Sequence, residues 1–327
     1  MKAVLIEENR ALAWREVPDP VLGEEDCLVK IAYAALNRAD LMQREGHYPP
    51  PPGAPEWMGL EISGEIVAMG EGARAHSRWK IGDKVCALLG GGGYAQYANV
   101  RHDMLMPVPE GCSLAEAAAM PEAFATAYLN LFWEGHMEPG STLLMHAGAS
   151  GLASVTIPMA RAFGARVITT VRTRAKAEKL NGLKADRVIV TGEEDLAEAL
   201  KQELDAGHPV DVAIDCLGGE MMGRCLPYLA RGARWIMIAT LAGDLTQVDL
   251  RNVYVRNVRI IGSTLRSRPP QVKARILAEL VERVWPKVEA GEIRPTIYRI
   301  LPITQAEEAQ AILYRNENVG KVVLKVE

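Results

Sequence analysis

The sequence predicts an α/β protein in which an irregular, β-rich domain is followed by a domain built on a doubly wound parallel sheet. Short strands broken by Gly and Pro fill residues 1 to about 120, whereas strands alternate with helices from about residue 122. Such alternation indicates parallel strands with helices on both faces of the sheet. The chain of 327 residues is long enough for two domains with substantial cores.

The N-terminal zone is predicted to form a small, irregular β-barrel. Its apolar and β-branched runs are short, and turns that contain glycine separate them. The predicted strands are residues 2–6, 26–34, 62–69, 84–89 and 105–108.

The central zone is predicted to form the parallel sheet. The predicted strands are residues 142–147, 165–171, 187–191, 210–215, 234–239 and 258–262, and the clearest helices between them are 173–183, 194–204 and 220–230. About six such strands is the size of the doubly wound dinucleotide-binding sheet known as the Rossmann fold.

The C-terminal zone combines one long helix with shorter elements. The helix is predicted from about residue 270, directly after Pro269, to about residue 290, where Gly291 ends it. The elements that follow are an extended segment at 297–301, a helix at 304–316 and a strand at 321–326.

Composition excludes several classes of function. The formal net charge is −4 and the cationic residues are spread along the chain, so nucleic acid is not an expected partner. Charge follows Met1 too early for a signal peptide, and no apolar run is long enough to span a bilayer. The five cysteines form no C-x-x-C pair, so we expect free thiols and a cytoplasmic protein.

A run of small residues lies between the first strand of the central zone and the next helix. Gly148, Ser150 and Gly151 occupy the turn, and Leu152 leads into the helix. A tight turn at this place directs backbone N–H groups and a helix N-terminus towards a pyrophosphate. At the head of a strand–helix series, the run predicts dinucleotide binding rather than a plain turn.

The second strand of the central zone is followed by cations. They are Arg172, Arg174 and Lys176, and no carboxylate occurs before Glu178. An NAD-binding protein usually has Asp or Glu here, on the ribose 2′-hydroxyl, whereas cations suit a 2′-phosphate. A solvated helix start is the alternative, but cations in a first helical turn oppose the helix dipole. The sequence therefore favours NADPH over NADH.

Six motifs, in order over nearly the whole chain, resemble one known family. They are residues 35–44, 59–61, 80–83, 107–111, 146–151 and 263–268. They look like the zinc-free NADPH:quinone oxidoreductase branch of the medium-chain dehydrogenase/reductase superfamily, of the zeta-crystallin-like and p53-inducible type. The resemblance implies a GroES-like domain at residues 1–121, an inserted NADP-binding Rossmann domain at 122–265, and a return to the GroES-like domain at 266–327.

The resemblance also shows where the zinc-dependent members of the superfamily bind their catalytic metal. The corresponding residues are Asn37, Leu60 and Glu122. Leucine cannot bind zinc and asparagine is a poor ligand, so no metal is expected here. The segment of the four-cysteine structural zinc lobe holds only two cysteines, which excludes that site as well.

The lack of a metal narrows the class of acceptor. Hydride transfer to an aldehyde leaves an alkoxide, whose conjugate acid has a pKa near that of water, about 15.7. Transfer to a quinone leaves a phenolate-like oxygen with a pKa of about 10. The difference of about six units corresponds to roughly 8 kcal/mol, comparable with what a metal Lewis acid supplies. Quinones, or enones that form an enolate, are therefore the expected acceptors.

Three residues are candidates for positioning or protonating the acceptor. Tyr48 precedes four prolines, which form a stiff segment able to fix its ring, and it either orients or protonates the acceptor oxygen or only packs there. By resemblance, Asn37 and Asp40 lie near the former metal position, where they position the acceptor or hydrogen-bond the loop. Hydrogen bonding is the favoured role for Asp40.

Further cofactor contacts are implied by resemblance and by position at the carboxyl ends of the strands. Thr126 is expected near the nicotinamide ribose or ring, and the backbone after the sixth strand near the carboxamide. The remaining expected contacts are Leu217, Thr240, Leu241, Leu265 and Arg266. His146 is expected to be a structural histidine, and the four glycines at 90–93 a flexible hairpin tip.

The sequence also predicts an oligomeric state and leaves two alternative functions open. Residues 253–265 read as an apolar edge strand, by which related enzymes dimerise, so a homodimer is expected. The first alternative to a quinone reductase is an NADPH-dependent enoyl or 2-alkenal reductase on the same scaffold. The second is a protein that binds NADPH without turnover.

Overall fold

The computed structural model describes residues 1–326, apart from the side chain of residue 181. The chain divides into two compact units. The first unit holds residues 1–125, 266–291 and 295–326, and the second holds residues 126–265 and 292–294. Within the described part of the chain, no helix combines the length and the apolar character that crossing a bilayer requires.

Most strands in both units are short. In chain order they are β1 (Lys2–Ile6), β2 (Leu12–Glu16), β3 (Asp26–Ala35), β4 (Glu61–Met69), β5 (Lys84–Leu88), β6 (Tyr97–Arg101), β7 (Leu105–Pro107), β8 (Thr142–Met145), β9 (Arg166–Val171), β10 (Arg187–Val190), β11 (Val210–Asp215), β12 (Leu229–Met237), β13 (Arg259–Gly262), β14 (Ile297–Pro302) and β15 (Lys321–Lys325).

The α-helices are also short, and most of them connect neighbouring strands. They are α1 (Arg38–Arg44), α2 (Glu71–His76), α3 (Leu114–Ala118), α4 (Pro121–Tyr128), α5 (Ala153–Ala162), α6 (Arg174–Glu178), α7 (Leu196–Asp205), α8 (Met221–Cys225), α9 (Leu250–Arg256), α10 (Pro270–Arg283), α11 (Trp285–Glu289) and α12 (Ala306–Tyr314).

The first unit is built on a seven-stranded sheet. Its strands follow the order β14-β15-β3-β4-β5-β7, with β6 paired to β3, and β1 and β2 form a separate antiparallel pair. Strand β15 lies between β14 and β3, so the C-terminal residues share this sheet with the N-terminal ones.

The second unit is a six-stranded, all-parallel sheet in the order β10-β9-β8-β11-β12-β13. The first strand of the unit, β8, therefore lies between the second and the fourth, which is the doubly wound order. The strand order reverses between β8 and β11, and ligands of such sheets bind outside the strand ends at that point. The predicted fold class, a GroES-like domain with a Rossmann-type sheet, is confirmed.

Three predicted helices are markedly shorter than the sequence pattern suggests, and a proline lies at the break in two of them. The helix predicted at 173–183 ends at Glu178. The helix predicted at 220–230 ends at Cys225, and a 3-10 turn that contains Pro227 leads into β12. The helix predicted at about 270–290 divides into α10 and α11, with Pro286 in the first turn of α11. Proline has no N–H to donate to the preceding turn, so it disfavours a helix interior and often marks a helix end or a new start. Pro158 is nonetheless accommodated inside α5.

Candidate active site

The predicted phosphate loop joins β8 to α5 in the second unit. A Cβ atom added at Gly148 would lie 2.4 Å from Thr169 Oγ1, so only glycine fits there. The Gly148 N–H donates to the Thr170 carbonyl (2.8 Å), and the Ala153 N–H donates to Ser150 Oγ (3.1 Å). These bonds hold the turn against the end of β9, directly before the helix start. The local residues therefore fit a dinucleotide phosphate.

The three predicted cations follow β9, next to this loop in the sheet. Arg172 is exposed, Arg174 is the first residue of α6, and Lys176 is partly buried. The Arg174 guanidinium forms an ion pair with the Glu193 carboxylate, both of them exposed. Of the two arginines, Arg172 is therefore the one whose side chain does not pair with the Glu193 carboxylate.

The loops after β11 and β12 lie together at the carboxyl ends of the strands. The Leu241 N–H donates to the Cys216 carbonyl (3.2 Å), next to Leu217, and Thr240 precedes Leu241 in the chain. The Asp215 carboxylate fixes the first loop because its Oδ1 accepts from the N–H groups of Leu217 and Gly218, at 2.7 and 3.0 Å. Leu241 is exposed and Leu265 is buried.

His146 directly follows β8 and is fully buried. Its Nδ1 lies 3.1 Å from Thr170 Oγ1, and its ring lies 5.6 Å from the Trp235 ring. Its Nε2 has no hydrogen-bond partner among the described residues. Burial lowers the pKa of His146, an effect that the charge of Asp215 opposes. A buried imidazole with a hydrogen-bonded Nδ1 supports the structural role expected for it.

In the first unit, the former metal position holds a buried ion pair. Lys321 Nζ lies 2.5 Å from Glu61 Oε1, and the two side chains are 4% and 0% exposed. Lys321 Nζ also donates to Asn37 Oδ1 (2.7 Å), while Asn37 Nδ2 donates to Glu61 Oε1 (2.9 Å). Both ends of the Asn37 amide are therefore engaged by these two charged residues.

Asp40 is fully buried beside this pair and binds the backbone. Its Oδ2 accepts from the Asn37 N–H (2.8 Å) and the Tyr94 hydroxyl (2.9 Å), and its Oδ1 accepts from the Gly59 N–H (3.2 Å). With Asn37 it forms a capping box at the start of α1. Burial raises its pKa to about 6 despite these hydrogen bonds. This geometry supports the hydrogen-bonding role for Asp40.

Glu122 completes the cluster of charges, a feature that sequence reasoning treated only as a lost metal ligand. Its N–H donates to Glu61 Oε2 (2.9 Å) at the start of α4. Burial and the charge of Glu61 raise the pKa of the Glu122 carboxyl to about 7, which Lys321 and Arg266 oppose. A carboxyl with that pKa exchanges protons near neutral pH. The signal available in the sequence was a single charged residue, Glu122, within the apolar run 117–129.

The residues at the former metal position do not fit a zinc ion. Leu60 offers an aliphatic side chain, and the amide of Asn37 already binds the ammonium of Lys321. A divalent cation at this place would meet the positive charge of that lysine. Within residues 1–326, no three His, Cys, Asp or Glu side chains are grouped so as to hold a metal ion.

Tyr48 lies beside Arg266, which is 6% exposed. The Arg266 Cζ atom is 4.9 Å from the centre of the Tyr48 ring, and its Nη1 donates to the Tyr48 carbonyl (3.2 Å). Burial and the charge of Glu122 raise the pKa of the Tyr48 hydroxyl, while Arg266 lowers it. Tyr48 is thus protonated at neutral pH and able to donate a proton.

The four glycines at 90–93 were predicted to form a flexible hairpin tip, and this is wrong. Gly91, Gly92 and Gly93 are buried. A Cβ atom at Gly92 would lie 2.9 Å from Pro55 Cγ, and one at Gly93 would lie 3.0 Å from the Gly59 carbonyl oxygen. The run is glycine because neighbouring backbone approaches it closely, which the sequence pattern does not show.

Family models and relatives agree with this architecture. The model described as "Alcohol dehydrogenase GroES-like domain" matches residues 23–110, and the one described as "Zinc-binding dehydrogenase" matches residues 151–282. The quinone oxidoreductase-like protein 2 homolog of Nematostella vectensis is 32% identical over 74% of this chain and 65% of that protein. Prostaglandin reductase-3 of Mus musculus is 31% identical over 70% of this chain and 59% of that protein.

The chain therefore spans less than two thirds of the length of these two relatives. Among solved structures, the quinone oxidoreductase of Thermus thermophilus, described also in complex with NADPH, superposes with a TM-score of 0.82. It is 27% identical, and the match covers 99% of this chain and all of that one. The chain belongs to the medium-chain dehydrogenase/reductase superfamily and has quinone oxidoreductase-like homologues.

Proposed function

We propose that the protein is an NADPH-dependent quinone oxidoreductase that works without a metal. The observation that carries this proposal is the set of residues at the former metal position. Asn37 and Glu61 are bound to the ammonium of Lys321, and Leu60 has no ligand atom. The chain belongs to an oxidoreductase superfamily, yet the side chains at this position do not suit a metal Lewis acid.

The chemistry of the acceptor follows from this set of residues. Without a metal to stabilise an alkoxide, the product oxygen must be a weaker base. The pKa difference between an alkoxide and a phenolate, about six units, is worth roughly 8 kcal/mol. Quinones delocalise the incoming charge over the ring, so they are the proposed substrates.

The proposed NADPH site lies in the second unit. Bound there, NADPH supplies the hydride. The phosphate loop holds the pyrophosphate, and the cations after β9 hold the 2′-phosphate. The remaining proposed contacts surround the strand ends. The set within this unit is Thr126, Gly148, Ser150, Gly151, Leu152, Arg172, Arg174, Lys176, Leu217, Thr240, Leu241 and Leu265, and Arg266, the next residue along the chain, is also proposed as a contact.

The choice of NADPH over NADH is tested at Arg172. Because the Arg174 side chain already pairs with Glu193, we propose that Arg172 makes the main 2′-phosphate contact. Arg172→Ala is expected to weaken NADPH binding about tenfold and to leave NADH binding unchanged, as measured by fluorescence titration. Arg251→Ala, at another exposed arginine of the same unit, is the matched control. Equal loss for both cofactors would contradict the assignment.

The proposed acceptor site lies in the first unit. In this proposal, Tyr48 orients the acceptor oxygen and gives it a proton, and Asn37 helps to position the acceptor. Asp40 fixes the backbone that carries Asn37. Tyr48→Phe is expected to lower kcat for a quinone more than it changes KM, because the ring and the loop remain. Unchanged steady-state kinetics in that variant would remove the proton-donor role.

The second candidate function is reduction of a conjugated carbon–carbon double bond. The similarity to a prostaglandin reductase supports this second candidate, because the same scaffold and cofactor could carry out that reduction. A screen of NADPH oxidation against quinones and 2-alkenals, with a chelator present, separates the two. Turnover of quinones alone supports the main proposal, and turnover of alkenals alone replaces it. Tight NADPH binding without either turnover would indicate a binding protein.

We also propose that the protein is a cytoplasmic homodimer. Cys27, Cys86 and Cys225 are buried free thiols, which is usual in a reducing compartment. Strand β13 lies at the end of its sheet and exposes apolar side chains, a surface that a second copy can cover.

A further inference from the structure

Three separate segments of the first unit converge on the guanidinium of Arg266. Its Nε donates to the Gly90 carbonyl (2.8 Å), its Nη1 to the Tyr48 carbonyl (3.2 Å), and its Nη2 to Gln43 Oε1 (2.8 Å). Gln43 belongs to α1, Tyr48 to the proline-rich segment, and Gly90 to the glycine run. All three nitrogens of one buried side chain are thus used to join these segments.

The proline-rich segment cannot be held in place by its own amides. Residues 49–52 are all proline and have no N–H groups, so this stretch offers only carbonyl oxygens for hydrogen bonding. The Pro51 carbonyl accepts from the Ala54 N–H (3.1 Å), whereas the Tyr48 carbonyl receives its donor from outside the segment. An arginine carries five N–H donors in a fixed plane, more than any other side chain. Arg266 supplies the donor that binds this segment at Tyr48.

The packing around Arg266 is built to receive this side chain. A Cβ atom at Gly91 would lie 3.5 Å from Arg266 Nη2, and one at Gly90 would lie 3.2 Å from Pro51 Cγ. The glycine run therefore lies directly against the guanidinium and the proline segment. Lys273 Nζ donates to the Arg266 carbonyl (3.3 Å), which also fixes the backbone of the arginine.

The partners of Arg266 are neutral, which argues against a role as one half of an ion pair. Burial lowers the pKa of the guanidinium, while Tyr48, Asp40 and Glu122 oppose this effect. Burying a charged group on neutral dipoles is costly, and an apolar side chain of similar size would fill the same space. The arginine gives directed hydrogen bonds that an apolar side chain lacks.

We infer that Arg266 is a positioning residue that fixes the ring and the carbonyl of Tyr48 at the acceptor site. It acts through Tyr48 and does not itself react with the acceptor. This inference rests on the proposed role of Tyr48 in quinone reduction. It gives the side chain of Arg266 a role of its own, in addition to the cofactor contact proposed for its backbone.

The decisive variant is Arg266→Lys, which keeps the charge and loses the planar set of donors. We expect kcat for a quinone to fall about tenfold, with KM and NADPH affinity within about twofold of the wild type. Arg10→Lys, at an exposed arginine of the same unit, is the matched control and is expected to keep the wild-type rate. A wild-type kcat in Arg266→Lys would overturn the inference.

A double-mutant cycle with Tyr48→Phe shows whether the arginine acts through the tyrosine. The double variant Arg266→Lys/Tyr48→Phe is expected to be no slower than the slower single variant, because each change disables the same proton donation. Rate losses that multiply would show two independent contributions and would overturn the inference.

Hydrogen–deuterium exchange provides a measurement that does not depend on turnover. Arg266→Lys is expected to speed exchange at the amides of residues 46–48, 53 and 54 severalfold, with the rest of the unit unchanged. Gln43→Leu, which removes one partner and keeps the arginine, is expected to give the same local pattern at smaller amplitude. Unchanged exchange in both variants would overturn the inference.

If the wild type reduces no quinone, the proposed function fails, and the exchange pattern still decides whether Arg266 positions this segment. If the wild type reduces quinones and the exchange pattern does not change, only the inference about Arg266 fails.

Discussion

At the scale of single residues, the ion pair of Lys321 and Glu61 joins β15 to β4 inside the first unit. Both side chains are buried, so the removal of one leaves an uncompensated charge. Lys321→Met is expected to lower the free energy of unfolding by about 3–5 kcal/mol in urea denaturation. Lys325→Met, at the exposed end of the same strand, is expected to change it by less than about 0.5 kcal/mol.

The double variant Lys321→Met/Glu61→Gln tests the origin of that loss. It removes both charges, so its destabilisation is expected to be smaller than the sum of the two single losses. Additive losses would contradict a direct interaction between the two residues.

The carboxyl of Glu122 makes stability depend on pH. Its pKa is about 7 in the folded protein, against about 4.3 for an exposed glutamate. The folded protein therefore holds a proton that the unfolded chain has lost, and the free energy of unfolding falls as pH rises between these values. Over that range the change is up to about 4 kcal/mol.

Glu122→Gln removes this titration. The Tm of the variant minus the Tm of the wild type is therefore expected to increase as pH rises from 5 to 8. Thermal unfolding across that range measures it, with Glu282→Gln on the exposed face of α10 as control. The prediction does not hold if the two Tm curves stay parallel.

Candidate residues could be proposed from the sequence where they lie close together in the chain, and not where they depend on distant partners. The phosphate loop and the cations after β9 follow one another in the chain, so their pattern was visible. Asn37 contacts Lys321, which lies 284 positions further along the chain. Arg266 contacts Gln43, which lies 223 positions before it. No sequence period links such pairs, which is why Lys321, Glu61 and the role of the Arg266 side chain were missed.

At the scale of elements, the glycine run packs against the turn before β4. Gly59 has a φ of +105°, and a Cβ atom there would lie 2.6 Å from Gly93 Cα and from the Tyr94 nitrogen. Backbone atoms cannot yield as a flexible side chain can. Gly59→Ala is therefore expected to destabilise the protein by more than about 3 kcal/mol in urea denaturation.

The control for this prediction is Gly111→Ala, which separates backbone strain from the clash. Gly111 also has a positive φ, +78°, but nothing lies within 4 Å of an added Cβ atom. Its loss should be limited to about 1 kcal/mol. Similar losses at the two positions would show that packing against the glycine run has no special weight.

The elements of the second unit were easier to predict than those of the first. Its four central strands, β8, β9, β11 and β12, pair on both sides and are mostly buried in a parallel sheet, so they read as apolar, β-branched runs. Strand β2, with the sequence LAWRE, and strand β6, YANVR, carry no such pattern because they are half exposed and lie at the margins of their sheets. The proline breaks at Pro227 in the second unit and at Pro286 in the first were also missed, since apolar periodicity continues across them.

At the scale of the whole molecule, each of the two large sheets ends in a strand that exposes apolar side chains. In the second unit this is β13, where Ile260 is 42% exposed, and in the first it is β14, where Ile300 is 45% exposed. Unpaired edges of this kind invite pairing with another chain. A two-fold dimer uses the same surface of both copies, so one edge suffices.

The proposed dimer uses β13, and the neighbouring helix α9 favours that choice because its Tyr254 and Val255 are 64% and 45% exposed. We expect a dimer by light scattering coupled to size-exclusion chromatography. Ile260→Arg is expected to shift it to monomer because a buried, unpaired charge is costly at an interface. Ile300→Arg makes the same change on the other edge and should leave the dimer intact. Dissociation by Ile300→Arg alone would place the interface on β14, and a monomeric wild type would remove the dimer altogether.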